Sequence, residues 1–188
     1  MLAFSRSGSP VCLHLPPGES IAFLGALWYT QTKYPYHKEE THMKAVVTRV
    51  KNARVEIDGA VNGAIDQGLL VLLGVGPDDT QATADKMADK VCGLRIFEDE
   101  AGKMNRNLET VGGSLLVVSQ FTLYADLKSR RPGFTGAAKP ETAVPLYEQF
   151  LEECRKLGFQ VEHGEFGADM LVTSENEGPV TIIFDTEA

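Results

Sequence analysis

The sequence predicts an α/β fold, a single domain in which a mixed or antiparallel β-sheet is layered with two amphipathic helices. Three observations carry that prediction. Alternating, β-branched segments recur from Met43 onward, a wholly apolar run at Gly68 to Val75 has the composition of a strand covered on both faces, and two later segments repeat apolar residues at helical spacing.

The elements follow in order. Residues 1–42 stand apart: they hold Pro10, Pro16, Pro17 and Pro35, the only tryptophan and three of the four histidines, with no alternating or helical period. They are expected to be a disordered N-terminal extension or a mis-assigned start, with the functional domain at 43–188. Their one apolar run, Ile21 to Trp28, is too short to span a bilayer and has no basic lead beyond Arg6.

Lys44 to Val50 and Ala53 to Ile57 alternate as strands. Asp58-Gly59 is a two-residue hairpin signal before a third strand at Ala60 to Ile65. Gly68 to Val75, bounded by glycine and Gly76-Pro77, should lie centrally in the sheet. Asp78, Asp79 and Thr80 offer caps for a helix whose apolar stripe is Ala84, Met87, Ala88, Val91 and Cys92. A second helix is predicted from about Pro140, carrying Ala143, Leu146, Tyr147, Phe150, Leu151 and Cys154 and closing at Gly158; Pro145 could delay its start. Further strands are expected at Ser114 to Ser119, Phe159 to His163, Met170 to Ser174 and Val180 to Phe184, with Gly112-Gly113 as a tight turn.

Composition narrows the function. Eighteen basic against 26 acidic residues give a net charge of −8, which opposes sequence-blind attachment to a phosphate backbone, so any nucleic-acid contact should be local. Three scattered cysteines without C-x-x-C spacing argue against a disulfide framework or zinc knuckle, and Cys92 and Cys154 read as core thiols. After Met43 the only histidine is His163, in an alternating segment suited to a strand surface; a three-histidine metal site cannot be built in the domain, and no metal or cofactor is expected. There is no G-x-S-x-G, P-loop or G-x-G-x-x-G.

Two short motifs stand out. Ser119-Gln120-Phe121-Thr122-Leu123 puts polar residues where an apolar strand ends, a common way to build a binding site, although a plain Ser/Thr turn has the same composition. Asn176-Glu177-Gly178-Pro179-Val180-Thr181 joins the most permissive residue to the most restricted one, and by itself reads first as a turn between two strands.

S-Q-F-T-L and N-x-G-P-V-T, in this order, together resemble the D-aminoacyl-tRNA deacylases of the common bacterial and eukaryotic type. MKAVVTRV, Leu94 to Asn105, Gly112 to Asp126, R-P-G-F (Arg131 to Phe134) and G-E-F-G-A-D-M (Gly164 to Met170) extend the resemblance over Met43 to Phe184. It implies a cytoplasmic homodimer that acts on the aminoacylated 3′ end of tRNA, needs no cofactor or membrane, and is not expected to bind DNA. It further implies that Gly178 and Pro179, joined by a cis bond, reach into the Ser119, Gln120, Phe121 and Thr122 pocket of the other subunit. There their carbonyls would crowd an L side chain while admitting a D side chain or glycine, so that glycyl-tRNA(Ala) becomes a second substrate.

Arg49 matches an arginine that supports that motif; a plain surface arginine is its other reading. Phe166, Gly167 and Met170 would flank the adenosine, unless they are core residues. Arg130 and Arg131, with Lys128 nearby, would touch tRNA phosphates, unless their loop is simply solvated. Because the sequence offers no convincing general base, the resemblance assigns activation of water to the 2′-hydroxyl of the terminal adenosine, with backbone amides near Gln120, Phe121 and Thr122 stabilising the oxyanion. Two rivals remain: a non-catalytic nucleic-acid-binding protein of the same fold, and a general esterase using Thr122 or Ser119.

Overall fold

The computed structural model describes Ala3–Phe4, Pro10–Val11 and residues 43–185. The chain divides into two units, Met1–Glu39 and Glu40–Ala188. In the first, strand β1 (Ala3–Phe4) pairs antiparallel with β2 (Pro10–Val11). The expected character of residues 1–42, the Ile21 to Trp28 run and Cys12 lie otherwise outside the described residues.

The second unit opens with β3 (Lys44–Ile57), one strand of 14 residues where two segments were expected. The polar pair Lys51-Asn52 is exposed, which breaks the alternation, but β10 (Leu171–Asp185) pairs with β3 on both sides of it and carries the strand through. On its other edge β3 pairs with β5 (Gly68–Gly74) along its first half and with β4 (Ala60–Ile65) along its second. Asp58 (φ 51°) and Gly59 (φ 78°) both take positive φ between β3 and β4, as a two-residue hairpin turn requires.

The central position expected for β5 is found: it lies antiparallel to β3 and parallel to β8 (Ser114–Ser119), which is in turn parallel to β9 (Val161–His163). The sheet is therefore mixed, with order β10-β3-β5-β8-β9. β9 is shorter than predicted, because Phe159 turns its amide back to Cys154 and only Gln160 onward leads into the ladder. β4 pairs with β3 alone and folds across β8 and β9, where Asn62 donates to the His163 carbonyl at 2.8 Å.

Helix α1 (Gln81–Cys92) is capped by Thr80 in a reciprocal box with Thr83. Asp79 is spent elsewhere: buried, it accepts the Met43 amide at 2.8 Å and the Gly76 amide at 2.6 Å, tying the start of β3 to the loop before α1. Helix α2 (Pro140–Lys156) begins at Pro140 despite Pro145 in its interior, and Gly158, at φ 96°, ends it. Both helices pack on the sheet through the predicted stripes, so the main core joins Val47, Leu69 and Val71 to Met87, Val91 and Phe150. A smaller cluster that includes Val50, Val55, Leu70 and Leu116 forms a second hydrophobic layer. Cys92 and Cys154 are buried free thiols, and the Cys154 thiol is pushed far up by its hydrogen bond with Cys92 and by burial, which leaves it inert as a nucleophile. Among the described residues no helix is long and apolar enough to cross a membrane.

Candidate active site

The three parallel strands β5, β8 and β9 end on the same edge of the sheet, and the chain leaves them at Gly74, Ser119 and His163. A crevice outside the carboxyl ends of such strands is where open α/β sheets place ligands. A cleft of about 210 Å3 lies there. Ser119, Gln120 and Phe121 line it, as do Phe166, Gly167 and Met170, while Leu73 and Tyr147 supply apolar surface between them. The S-Q-F motif and the F-G-x-x-M motif, far apart in sequence, thus line one mostly apolar cavity with a few polar groups, as small-molecule sites commonly do.

Local bonding explains the geometry of the first wall. The amide of Gln120 donates to the Leu73 carbonyl at 2.7 Å, closing the β5–β8 ladder, and the chain then turns into a short 3-10 helix, Phe121–Tyr124. Gly74 permits this turn, since a Cβ there would lie 3.0 Å from the Gln120 carbonyl oxygen and from the Tyr124 ring. One expectation is corrected: the Gln120 amide is already committed to Leu73 and is no free oxyanion donor. The Phe121 and Thr122 amides, first in the 3-10 turn, donate to no acceptor among the described residues. Thr122 does not line the cleft; its hydroxyl accepts from the Gln120 carboxamide, which is no base. His163 is half-buried rather than a surface residue, its Nδ1 is 2.8 Å from the Gly164 carbonyl oxygen, and it too lies off the cleft lining.

On the second wall Gly164 makes room for Met170, whose Sδ would lie 2.4 Å from a Cβ at position 164. Tyr147 reaches up from α2 to donate to the Val117 carbonyl at 2.9 Å, and its burial pushes the phenol's pKa upward. Sequence reasoning missed Tyr147 and Asp169 as lining residues; Asp169 is the one carboxylate in the lining, and its position within G-E-F-G-A-D-M was the available signal.

Gly178 and Pro179 lie elsewhere. β10 is one strand, not two strands joined by a turn, and Glu177, Gly178, Pro179 and Val180 stand opposite the single residue Arg49, with Asn176 paired to Val50 and Thr181 to Thr48. The Gly178-Pro179 bond is cis, and both residues are exposed and absent from the lining of their own chain's cleft. Arg49, the base of this excursion, is 5% exposed, so the surface reading is overturned. Its Nε donates to the Glu177 carbonyl at 3.1 Å and its Nη1 to the Ile96 carbonyl at 2.6 Å. The Glu98 and Glu177 carboxylates each lie 3.8 Å from the guanidinium.

Arg130 and Arg131 project from an exposed loop closed by paired backbone bonds between Asp126 and Gly133, at 2.8 and 3.0 Å. Neither guanidinium has an ion-pair partner among the described residues, whereas Lys128 pairs with Asp126 at 3.1 Å.

The family profile described as D-Tyr-tRNA(Tyr) deacylase matches residues 46–185. A D-aminoacyl-tRNA deacylase of Desulfatibacillum aliphaticivorans is 56% identical over 146 residues, 77% of this chain and all of the relative. One from Symbiobacterium thermophilum is 55% identical over 77% of this chain and 97% of the relative. Among solved structures, a "c-Myc DNA Unwinding Element Binding Protein" superposes with a TM-score of 0.73 at 42% identity, covering 77% of this chain and 99% of that one. A probable eukaryotic D-amino acid tRNA deacylase, at 16% identity and a TM-score of 0.68 over 76% of this chain and 98% of its own, shares the fold. With S-Q-F and F-G-x-x-M lining one cleft and its domain aligned over the full length of such relatives, the chain belongs to the D-aminoacyl-tRNA deacylase family.

Proposed function

We propose that this ester hydrolase edits tRNA as a cytoplasmic homodimer in which each cleft is completed by Gly178 and Pro179 of the other subunit, rejecting L-aminoacyl esters while cleaving D-aminoacyl esters and glycyl-tRNA(Ala). The observation that carries this reading is the Glu177 to Val180 excursion, which exposes Gly178 and Pro179, is braced by buried Arg49, and contributes nothing to the cleft of its own chain. It sits on a 15-residue edge strand with Leu171 and Ile183 exposed, a surface that an unpaired monomer would leave open to association. Selection then works by exclusion: fixed carbonyls crowd an L side chain, and glycine has none to crowd.

Ser119, Gln120 and Phe121 form the aminoacyl end of the cleft, Phe166, Gly167 and Met170 the adenosine end, and the amide of Phe121 receives the developing oxyanion. Water is activated by the 2′-hydroxyl of the terminal adenosine. Support comes from Thr122, whose hydroxyl faces a carboxamide rather than a base, so an esterase built on Thr122 lacks an activated nucleophile.

The test is subunit mixing. Phe166→Ala disables a chain's own cleft, and a Gly178→Ala/Pro179→Ala chain lacks the excursion. Each alone should lose selective deacylation, and mixed dimers should regain it, because one cleft then has both parts. Failure of mixing to restore activity, with both variants dimeric, would sink the cross-subunit reading. A D-Tyr ester on 2′-deoxyadenosine-terminated tRNA should resist cleavage; its normal hydrolysis would remove the 2′-hydroxyl from the mechanism.

A second reading is favoured by the 42% identical relative, whose name is that of a DNA-binding protein. The net charge of −8 opposes it, and it predicts salt-sensitive binding to a DNA duplex by a chain that releases no amino acid from any tRNA ester.

A further inference from the structure

We propose that Phe121, Phe134 and the 126–136 loop form a subsite for the unpaired nucleotide that precedes the terminal adenosine of tRNA. Its base would stack on the two rings, and Arg130 and Arg131 would hold the adjoining phosphates. The proposal rests on the deacylase reading of the cleft and extends it beyond the aminoacyl-adenosine.

Three observations point to it. Phe121 is 57% exposed, Leu127 76% and Phe134 37%, an apolar group left open on a short stretch of chain. The two rings meet edge to face, with centroids 5.1 Å apart and planes at 76°, so each braces the other. The Asp126–Gly133 bonds close the loop that carries Phe134.

Charge identifies the occupant. The same loop holds Lys128, Arg130 and Arg131 against the single carboxylate of Asp126, a local positive excess on a chain whose net charge is −8. Aromatic faces interleaved with unpaired guanidinium groups are the usual means of holding single-stranded nucleic acid. An apolar protein partner would instead bury Arg130 and Arg131 without counter-charge. Continuity places the pair beside the cleft: Phe121 lines it and also meets Phe134, so the two rings adjoin the wall against which an aminoacyl-adenosine would lie.

The experiment compares D-tyrosine esterified to adenosine with D-tyrosine esterified to the trinucleotide CpCpA, using the full chain. Wild type should show a lower KM for the trinucleotide ester. Phe134→Leu, which keeps an apolar side chain but removes the ring, should raise that KM roughly 10- to 100-fold, the range for loss of one stacked base. The adenosine ester's KM should change far less, because leucine keeps an apolar contact with Phe121, both kcat values should stay put, and Phe134→Tyr should restore the trinucleotide KM. Arg130→Gln/Arg131→Gln should flatten the salt dependence of the trinucleotide KM alone. Equal KM values for the two esters in wild type, or parallel changes on both in Phe134→Leu, would overturn the subsite while leaving the deacylase reading intact. Cleavage of neither ester by wild type would overturn both.

Discussion

Replacing Arg49 by lysine separates the bracing of the β10 excursion from the mere presence of a positive charge. The guanidinium spans two carbonyls, Glu177 at 3.1 Å through Nε and Ile96 at 2.6 Å through Nη1, from a side chain only 6% exposed. A lysine ammonium is one point at the end of a flexible stem and reaches one of them. The stem keeps its packing, so the loss is close to one charge-assisted hydrogen bond, about 2 kcal/mol. For a domain of this size that is a drop of roughly 4–8 °C in Tm. If the abandoned carbonyl is that of Glu177, residues 177–180 lose their brace, and the preference for D-Tyr-tRNA over L-Tyr-tRNA should narrow by up to about 30-fold. Urea melts at constant m-value and initial rates on both esters would measure the two effects. Reduced stability with an unchanged D/L ratio would refute the bracing role, and no change in either would refute the hydrogen bonds themselves.

Smaller changes test the rest of the site. Tyr147→Phe should cost only about 0.5–1.5 kcal/mol in denaturant melts, because the Val117 carbonyl it releases also accepts the Gly164 amide at 3.1 Å; a loss above about 3 kcal/mol would mean the carbonyl is left unpaired. Gly164→Ala should fold, since the atom it meets is the flexible thioether of Met170, but displacing Met170 should raise the KM for a D-tyrosyl adenosine ester; an unchanged KM would remove Met170 from the adenosine end. A chain started at Met43 should melt no lower than the full chain and keep its rate on D-Tyr-tRNA, because Asp79, 2.8 Å from the Met43 nitrogen, would then receive a charged amine; a large loss on truncation would show that residues 1–42 belong to the working domain.

Local pattern made the frame legible and left the junctions obscure. The Gly68 to Val75 run and the stripes of both helices were readable because burial on both faces, or on one stripe, leaves a direct imprint on residue type. The continuity of β10 was not: Gly178-Pro179 has the composition of a turn, yet an edge strand tolerates a residue with no amide hydrogen in an excursion, and β3 pairs on either side of it. Arg49 could have been placed from the sequence, because alternation puts it on the same side of β3 as Ala45 and Val47, both fully buried. The meeting of Ser119 to Phe121 with Phe166 to Met170 depends on β8 and β9 being parallel neighbours, a long-range pairing to which no local signal points. The commitment of the Gln120 amide to Leu73 is of the same kind.

Chiral editing is tested most directly by release of amino acid from D-Tyr-tRNA and L-Tyr-tRNA by the unmodified protein, measured side by side. D-tyrosine should be lost rapidly, with the L-ester left at its spontaneous rate. Hydrolysis of both esters at similar rates, or of neither, would contradict a D-selective deacylase.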